Sequence, residues 1–103
     1  MEVFANLEGS SLVINLVGEL DECTVAFAQK QVDSFIEEQS IEFDSVVFDL
    51  SQLSFMDSTG LNFFLCRWKL ARDLSKKVYV RKPSAIANKM FEMWGLYDLM
   101  IKL

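Results

Sequence analysis

The sequence predicts an α/β domain, a mixed β-sheet with helices packed against it, in the order β-β-α-β-α-β-α-β. Three observations predict it. Short runs rich in β-branched residues alternate with segments whose apolar residues recur at helical spacing. The first two runs are joined only by Glu8-Gly9-Ser10, which reads as a turn and makes them a hairpin. The run Ser45 to Leu50, S-V-V-F-D-L, is apolar almost throughout, as in a strand covered on both faces or central in a sheet.

Val3 to Leu7 is the first strand, and Leu12 to Val17 the second. Gly18-Glu19-Leu20-Asp21 leaves that strand. Thr24 is then a candidate N-cap for a helix carrying Val25, Ala28, Val32, Phe35 and Ile36 on one face and ending near Gln39. After the strand Ser45 to Leu50, a loop is held on the core by Leu53, Phe55 and Met56. Asp57-Ser58-Thr59-Gly60 opens a second helix, with Leu61, Phe64, Leu65, Trp68 and Ala71 on one face. Val78-Tyr79-Val80 is a strand. Pro83-Ser84 starts a third helix, with Ser84 as its cap, Ile86, Met90, Met93 and Trp94 inward, and Gly95 at its stop. Leu99 to Leu103 is a last short strand. The chain of 103 residues is read as one domain, 1–103, with no repeat and no linker.

Composition excludes several function classes. The hydrophobic share of 51% supplies a core without metals or disulfides. A net charge of -5 disfavours nucleic acid and anionic membranes and suits a basic patch on a protein partner. Cys23 and Cys66 form no C-x-x-C pair, so neither a zinc site nor a disulfide framework is expected. Histidine is absent, which removes the commonest general acid–base group and metal ligand. The N-terminus, M-E-V-F-A-N-L-E, is acidic where a signal peptide is basic, and no apolar run spans a bilayer. A cytoplasmic protein without metal or cofactor is expected.

The most informative stretch is Phe48 to Leu61, F-D-L-S-Q-L-S-F-M-D-S-T-G-L. It sets Asp57 and Ser58 at a helix start, near unpaired N–H groups and the positive end of the helix dipole. Negative charge there is favoured by about 0.3–1 kcal/mol, so a phosphate on Ser58 is compatible with the fold. Gly60 leaves room for close approach by another protein. The plain alternative is that Asp57 or Ser58 merely caps the helix.

Three segments resemble the STAS domain family, in particular bacterial anti-sigma factor antagonists. They are G-E-L-D, Gly18 to Asp21, with Thr24 beyond it; L-S-F-M-D-S-T-G-L, Leu53 to Leu61; and M-F-E-M-W-G-L, Met90 to Leu96. The middle one matches the family's phosphorylation loop closely, and G-E-L-D alone is weak. The resemblance implies a protein-binding switch and no enzyme. In its unphosphorylated form such a protein binds an anti-sigma factor that is a serine kinase of the histidine-kinase-like ATPase fold. The kinase phosphorylates the serine at the helix start, here Ser58, and a serine phosphatase restores it. It implies a partner surface of Asp21, Glu22, Cys23 and Thr24 beside Asp57, Thr59 and Gly60. Family members usually continue into another helix after the last strand, and that helix is expected to be missing here.

Other readings bear on the same residues. A catalytic Ser58 lacks a histidine and has Asp57 only as an adjacent residue, which seldom aligns for proton transfer. The chain also fits a STAS subunit of a larger machine, such as a phospholipid-transporting ABC system, or a partner-switching regulator with a non-sigma output. Phe63, Cys66, Leu70 and Leu74 form a second stripe on the Ser58 helix, read as packing against a neighbouring helix or as a partner surface. Arg67 and Lys69 are expected to be solvated. The basic residues Lys76-Lys77 and Arg81-Lys82 are expected at an exposed edge or loop, and Met90 and Met93 in the core.

Overall fold

The computed structural model describes residues 1–38 and 40–103. Among them six strands and three helices occur: β1 (Glu2–Glu8), β2 (Ser11–Leu20), α1 (Val25–Glu38), β3 (Ser45–Asp49), β4 (Leu53–Met56), α2 (Thr59–Asp73), β5 (Lys77–Arg81), α3 (Ala85–Trp94) and β6 (Ile101–Lys102). A 3-10 turn, Leu96–Asp98, precedes β6. The expected end of the first helix near Gln39 lies outside the described residues.

The sheet runs β1-β2-β3-β5-β6, and β4 pairs with β2 off this path. Only β1 and β2 are antiparallel; β3, β4, β5 and β6 each join a neighbour in parallel. The expected order is therefore kept, with one strand added. β4 was expected as loop, and it pairs because β2 is long enough for two partners. Ser11 to Asn15 face β3, and Gly18 to Leu20 face β4. The changeover falls at Gly18, whose φ of +107 admits glycine far more readily than any other residue. Its N–H donates to the carbonyl of Gln52 at 3.0 Å, fastening the turn that brings β4 alongside.

One sheet face carries the core. Leu12, Ile14, Leu16, Val46, Phe48, Val78 and Val80 are buried beneath the helices. Phe64 of α2 sits among three rings, with edge contacts to Phe48, Phe63 and Phe91 at centroid distances of 5.3, 5.0 and 4.9 Å. It joins β3 to α2 and α3, and each such pair adds about 0.5–1.5 kcal/mol beyond burial. α1 buries Ala28, Val32 and Ile36 as expected.

Several expected orientations are corrected. On α2, Phe64 and Ala71 are inward as expected and Leu61, Leu65 and Trp68 pack against the core partly buried, but Phe63 and Arg67 are inward as well. Arg67, expected in solvent, is 5% exposed. Its Nε lies 2.9 Å from Asp33 Oδ1 on α1, and its guanidinium covers the Phe63 ring at 5.1 Å. Burial outweighs that neighbour's charge and pushes the Asp33 carboxyl above its ordinary value. Met93 is exposed, and Ala87 and Phe91 take the inward places on α3. Phe55 is also exposed, whereas Leu53 and Met56 are buried.

β5 lies inside the sheet, so its basic flanks do not mark an edge. Arg81 Nε donates to Asp49 Oδ2 at 3.0 Å and Nη1 to Glu8 Oε1 at 3.2 Å, bracing the face without helices. Ser84 caps α3 as expected, accepting from Ala87 N, and its hydroxyl donates to the Leu53 carbonyl at 2.6 Å. Gly95 ends α3 at φ +70, in the left-handed conformation that suits glycine.

Candidate functional site

Parallel strands deliver their C-terminal ends to the same side of a sheet. β2 and β4 are such a pair, with Leu20 opposite Met56. The chain leaves β2 into Asp21–Thr24 and leaves β4 into Asp57 and Ser58. The Asp57 N–H donates to the Leu20 carbonyl at 3.2 Å, which joins the two exits. The structure thus brings together the two segments that the sequence singled out, at the starts of α1 and α2.

The first segment is a closed hydrogen-bond box. Asp21 Oδ1 accepts from the N–H groups of Cys23 at 2.9 Å and Thr24 at 3.2 Å. Thr24 Oγ1 accepts from Asp21 N at 3.0 Å and donates to the Glu19 carbonyl at 2.8 Å. The Val25 N–H donates to the Asp21 carbonyl at 2.9 Å, closing the turn that leads into α1. Thr24 directly precedes α1, the position expected for its cap, and its carbonyl accepts from Ala28 N at 3.0 Å, while its hydroxyl is turned back to close the Asp21 box. Glu22 and Cys23 are exposed at its tip.

In the second segment the capping work falls to Asp57. Its Oδ1 accepts from Thr59 N at 2.9 Å and from Thr59 Oγ1 at 2.6 Å. These bonds, with smaller help from the Glu22 N–H, hold its carboxyl below the ordinary value of 3.8. Ser58 stands at the N-cap position with helical φ and ψ of -63° and -18°, and its side chain makes no capping bond. It is exposed, and among the described residues its hydroxyl has no hydrogen-bond partner.

Gly60 is needed for an inward reason. It is buried, and a Cβ there would lie 2.5 Å from Cγ and Sδ of Met56 and 3.6 Å from Leu20 Cδ2. The glycine lets α2 settle on the β4 side chain. That packing requires the glycine whether or not a partner approaches.

The site is acidic. Glu19, Asp21, Glu22 and Asp57 cluster on its two segments, and neither 19–24 nor 55–62 contains a lysine or arginine. Asp57 is directed to Thr59 and not to Ser58, so no nucleophile–base pair forms at Ser58. Sequence reasoning missed Leu20 and Glu19, whose carbonyls hold the segments, because backbone acceptors leave no trace in residue type. It also missed the exposed Phe55 beside Asp57, since a strand was not expected there. Among the described residues no helix is long and apolar enough to cross a membrane.

Known proteins resemble this chain in sequence and in fold. The STAS domain family matches residues 4–103. An anti-sigma F factor antagonist of Paenibacillus polymyxa is 33% identical over 89 residues, covering 86% of this chain and 74% of the relative. The fold matches the anti-sigma factor antagonist SpoIIAA in its unphosphorylated form, with a TM-score of 0.79, 24% identity, and coverage of 99% of this chain and 88% of that one. It also matches the Bacillus protein SpoIIAA in its phosphorylated form, at a TM-score of 0.71 and 24% identity over 99% of this chain and 91% of that one.

Proposed function

The chain belongs to the STAS domain family, and from that premise we propose that it is an anti-sigma factor antagonist switched by phosphorylation of Ser58. Unmodified, it binds an anti-sigma factor that is also a serine kinase of the histidine-kinase-like ATPase fold, and so releases the sigma factor. The kinase phosphorylates Ser58 and the complex is lost; a serine phosphatase returns the free hydroxyl. The relative of Paenibacillus polymyxa bears the same functional name, and SpoIIAA, whose fold this chain shares, exists in both phosphorylated and unphosphorylated forms.

One observation carries the reading. Ser58 is an exposed hydroxyl without a bonding partner among the described residues, at the point where the two singled-out segments meet. Its neighbours Asp57, Thr59, Asp21 and Thr24 are all committed to local bonds. In this reading Glu22, Cys23 and Thr59 join Asp21, Thr24 and Asp57 around Ser58 in the partner surface, and Gly60 supports it from beneath.

A phosphate there adds about -1.5 to -2 charge and three acceptor oxygens. In the free protein the positive end of α2 offsets part of the repulsion from Asp57. At a closed interface the phosphate must shed water beside an acidic cluster, and without a matching cation that costs several kcal/mol. The domain itself need not refold.

The test is phosphosite mapping by mass spectrometry after incubation with the cognate kinase and ATP. Stoichiometric phosphate on Ser58 is expected. A protein left unmodified by a kinase that it binds would overturn the proposal.

A further inference from the structure

Two hydroxyls stand side by side at the start of α2, and the structure treats them differently. Thr59 is partly buried and holds one oxygen of Asp57 twice, through N–H at 2.9 Å and through Oγ1 at 2.6 Å. Ser58 is exposed and its side chain makes no capping bond. We propose that Asp57 is a specificity-determining residue that selects the phosphoryl acceptor: by holding Thr59, it leaves Ser58 as the open hydroxyl of the pair. The inference rests on the reading of this site as a phosphorylation switch and adds to it the device that chooses between neighbours.

The chemistry makes the difference count. In transfer from ATP the acceptor oxygen bonds to the γ-phosphorus, the bond from that phosphorus to the β,γ-bridging oxygen breaks, and ADP leaves with the electron pair. The acceptor's proton passes to a base on the kinase or to water. Ser58 can turn its oxygen toward phosphorus freely. Thr59 must first give up a hydrogen bond to an ionised carboxylate. A bond of that kind is worth tenfold to about a hundredfold in an equilibrium. Nor does Asp57 activate Thr59 as a base, because its carboxyl is held below the ordinary range by the same contacts and is a poor proton acceptor at neutral pH.

The experiment expresses the full chain in cells that contain its kinase and maps phosphate by mass spectrometry in wild type, Asp57→Ala, Asp57→Asn and Ser58→Ala. Wild type should carry phosphate on Ser58 alone. Asp57→Ala should add phosphate on Thr59, rising at least about tenfold over wild type. Asp57→Asn keeps an acceptor oxygen but loses the charge, so it should add phosphate on Thr59 to a smaller extent than Asp57→Ala. Ser58→Ala, with Asp57 intact, should remain unmodified, and it serves should Asp57→Ala fail to fold. Phosphate on Ser58 alone in both wild type and folded Asp57→Ala would overturn the selection and leave the switch standing. So would loss of all phosphate in folded Asp57→Ala, which would make Asp57 a recognition element, or phosphate on Thr59 in Ser58→Ala. Wild-type phosphate on Thr59, or none at all, would overturn both readings.

Discussion

The N–H of Asp57 donates to the carbonyl of Leu20 at 3.2 Å, so the chain two residues before the second helix hangs from the last residue of the second strand. That bond extends the β2–β4 ladder by one step beyond Met56. It makes the two helix starts one surface, although nothing in the chain between them is continuous with it. A change in either turn is therefore felt by the other through a short backbone link.

Asp21 is expected to matter for folding as well as for contact. Its carboxylate closes the box at the start of α1 through Cys23 and Thr24. Asp21→Ala should cost about 0.5–2 kcal/mol, the range for losing side-chain bonds to the backbone N–H groups that lead into a helix. Urea denaturation reads this directly. A variant as stable as wild type would show that the box contributes nothing.

Gly60→Ala should destabilise by about 1–3 kcal/mol, the range for overpacking a filled core. The added methyl meets Met56. Shortening that side chain should relieve the clash, so Gly60→Ala with Met56→Ala should lose less than the sum of the two single changes. Simple additivity in denaturation midpoints would contradict the assignment of Gly60 to packing.

The Asp33–Arg67 pair gives a third test. Arg67 is buried with Asp33 as its ion-pair partner between α1 and α2. Asp33→Ala strands that charge, and breaking a buried pair from one side costs about 3–5 kcal/mol. Asp33→Leu with Arg67→Met replaces both ends by apolar groups and should be more stable than Asp33→Leu alone. Equal stability of the two would show that Arg67 reaches water when its partner is removed.

How far the sequence could be read depends on which signals hydropathy carries. Alternating runs located all the helices and the five longer or better-marked strands, and Ser84 and Gly95 marked both ends of α3. β4 was hidden because its four residues, Leu53 to Met56, bury only the first and last, which is neither alternation nor a run. The face of α2 was legible in part, through Phe64 and Ala71, but Arg67 occupies an inward position that no apolar count can assign. Met93 was placed inward on type alone, whereas Ala87 and Phe91 fill the space. At the site, the motif located Asp57, Ser58 and Gly60, but it could not say that Asp57 bonds Thr59 or that Gly60 answers to Met56. Those are matters of three-dimensional reach.

Acid should act through Asp57. Its folded value lies below 3.8, chiefly through Thr59, so the unfolded chain binds protons first as pH falls. The stability it contributes is complete above 3.8 and is lost as pH drops through the lowered folded value. The gap in urea midpoint between wild type and Asp57→Asn at neutral pH should close in acid. A gap that is constant into acid would mean that the carboxylate's charge is not what holds Thr59.

Phosphate on Ser58 is proposed to cancel partner binding locally. The most direct measurement is titration calorimetry of the cognate anti-sigma factor against the unmodified protein and against protein with phosphoserine incorporated at position 58, with circular dichroism of both. A loss of about 3–4 kcal/mol, a hundredfold to about a thousandfold in affinity, is predicted with unchanged spectra. Equal affinity of the two forms would contradict the account.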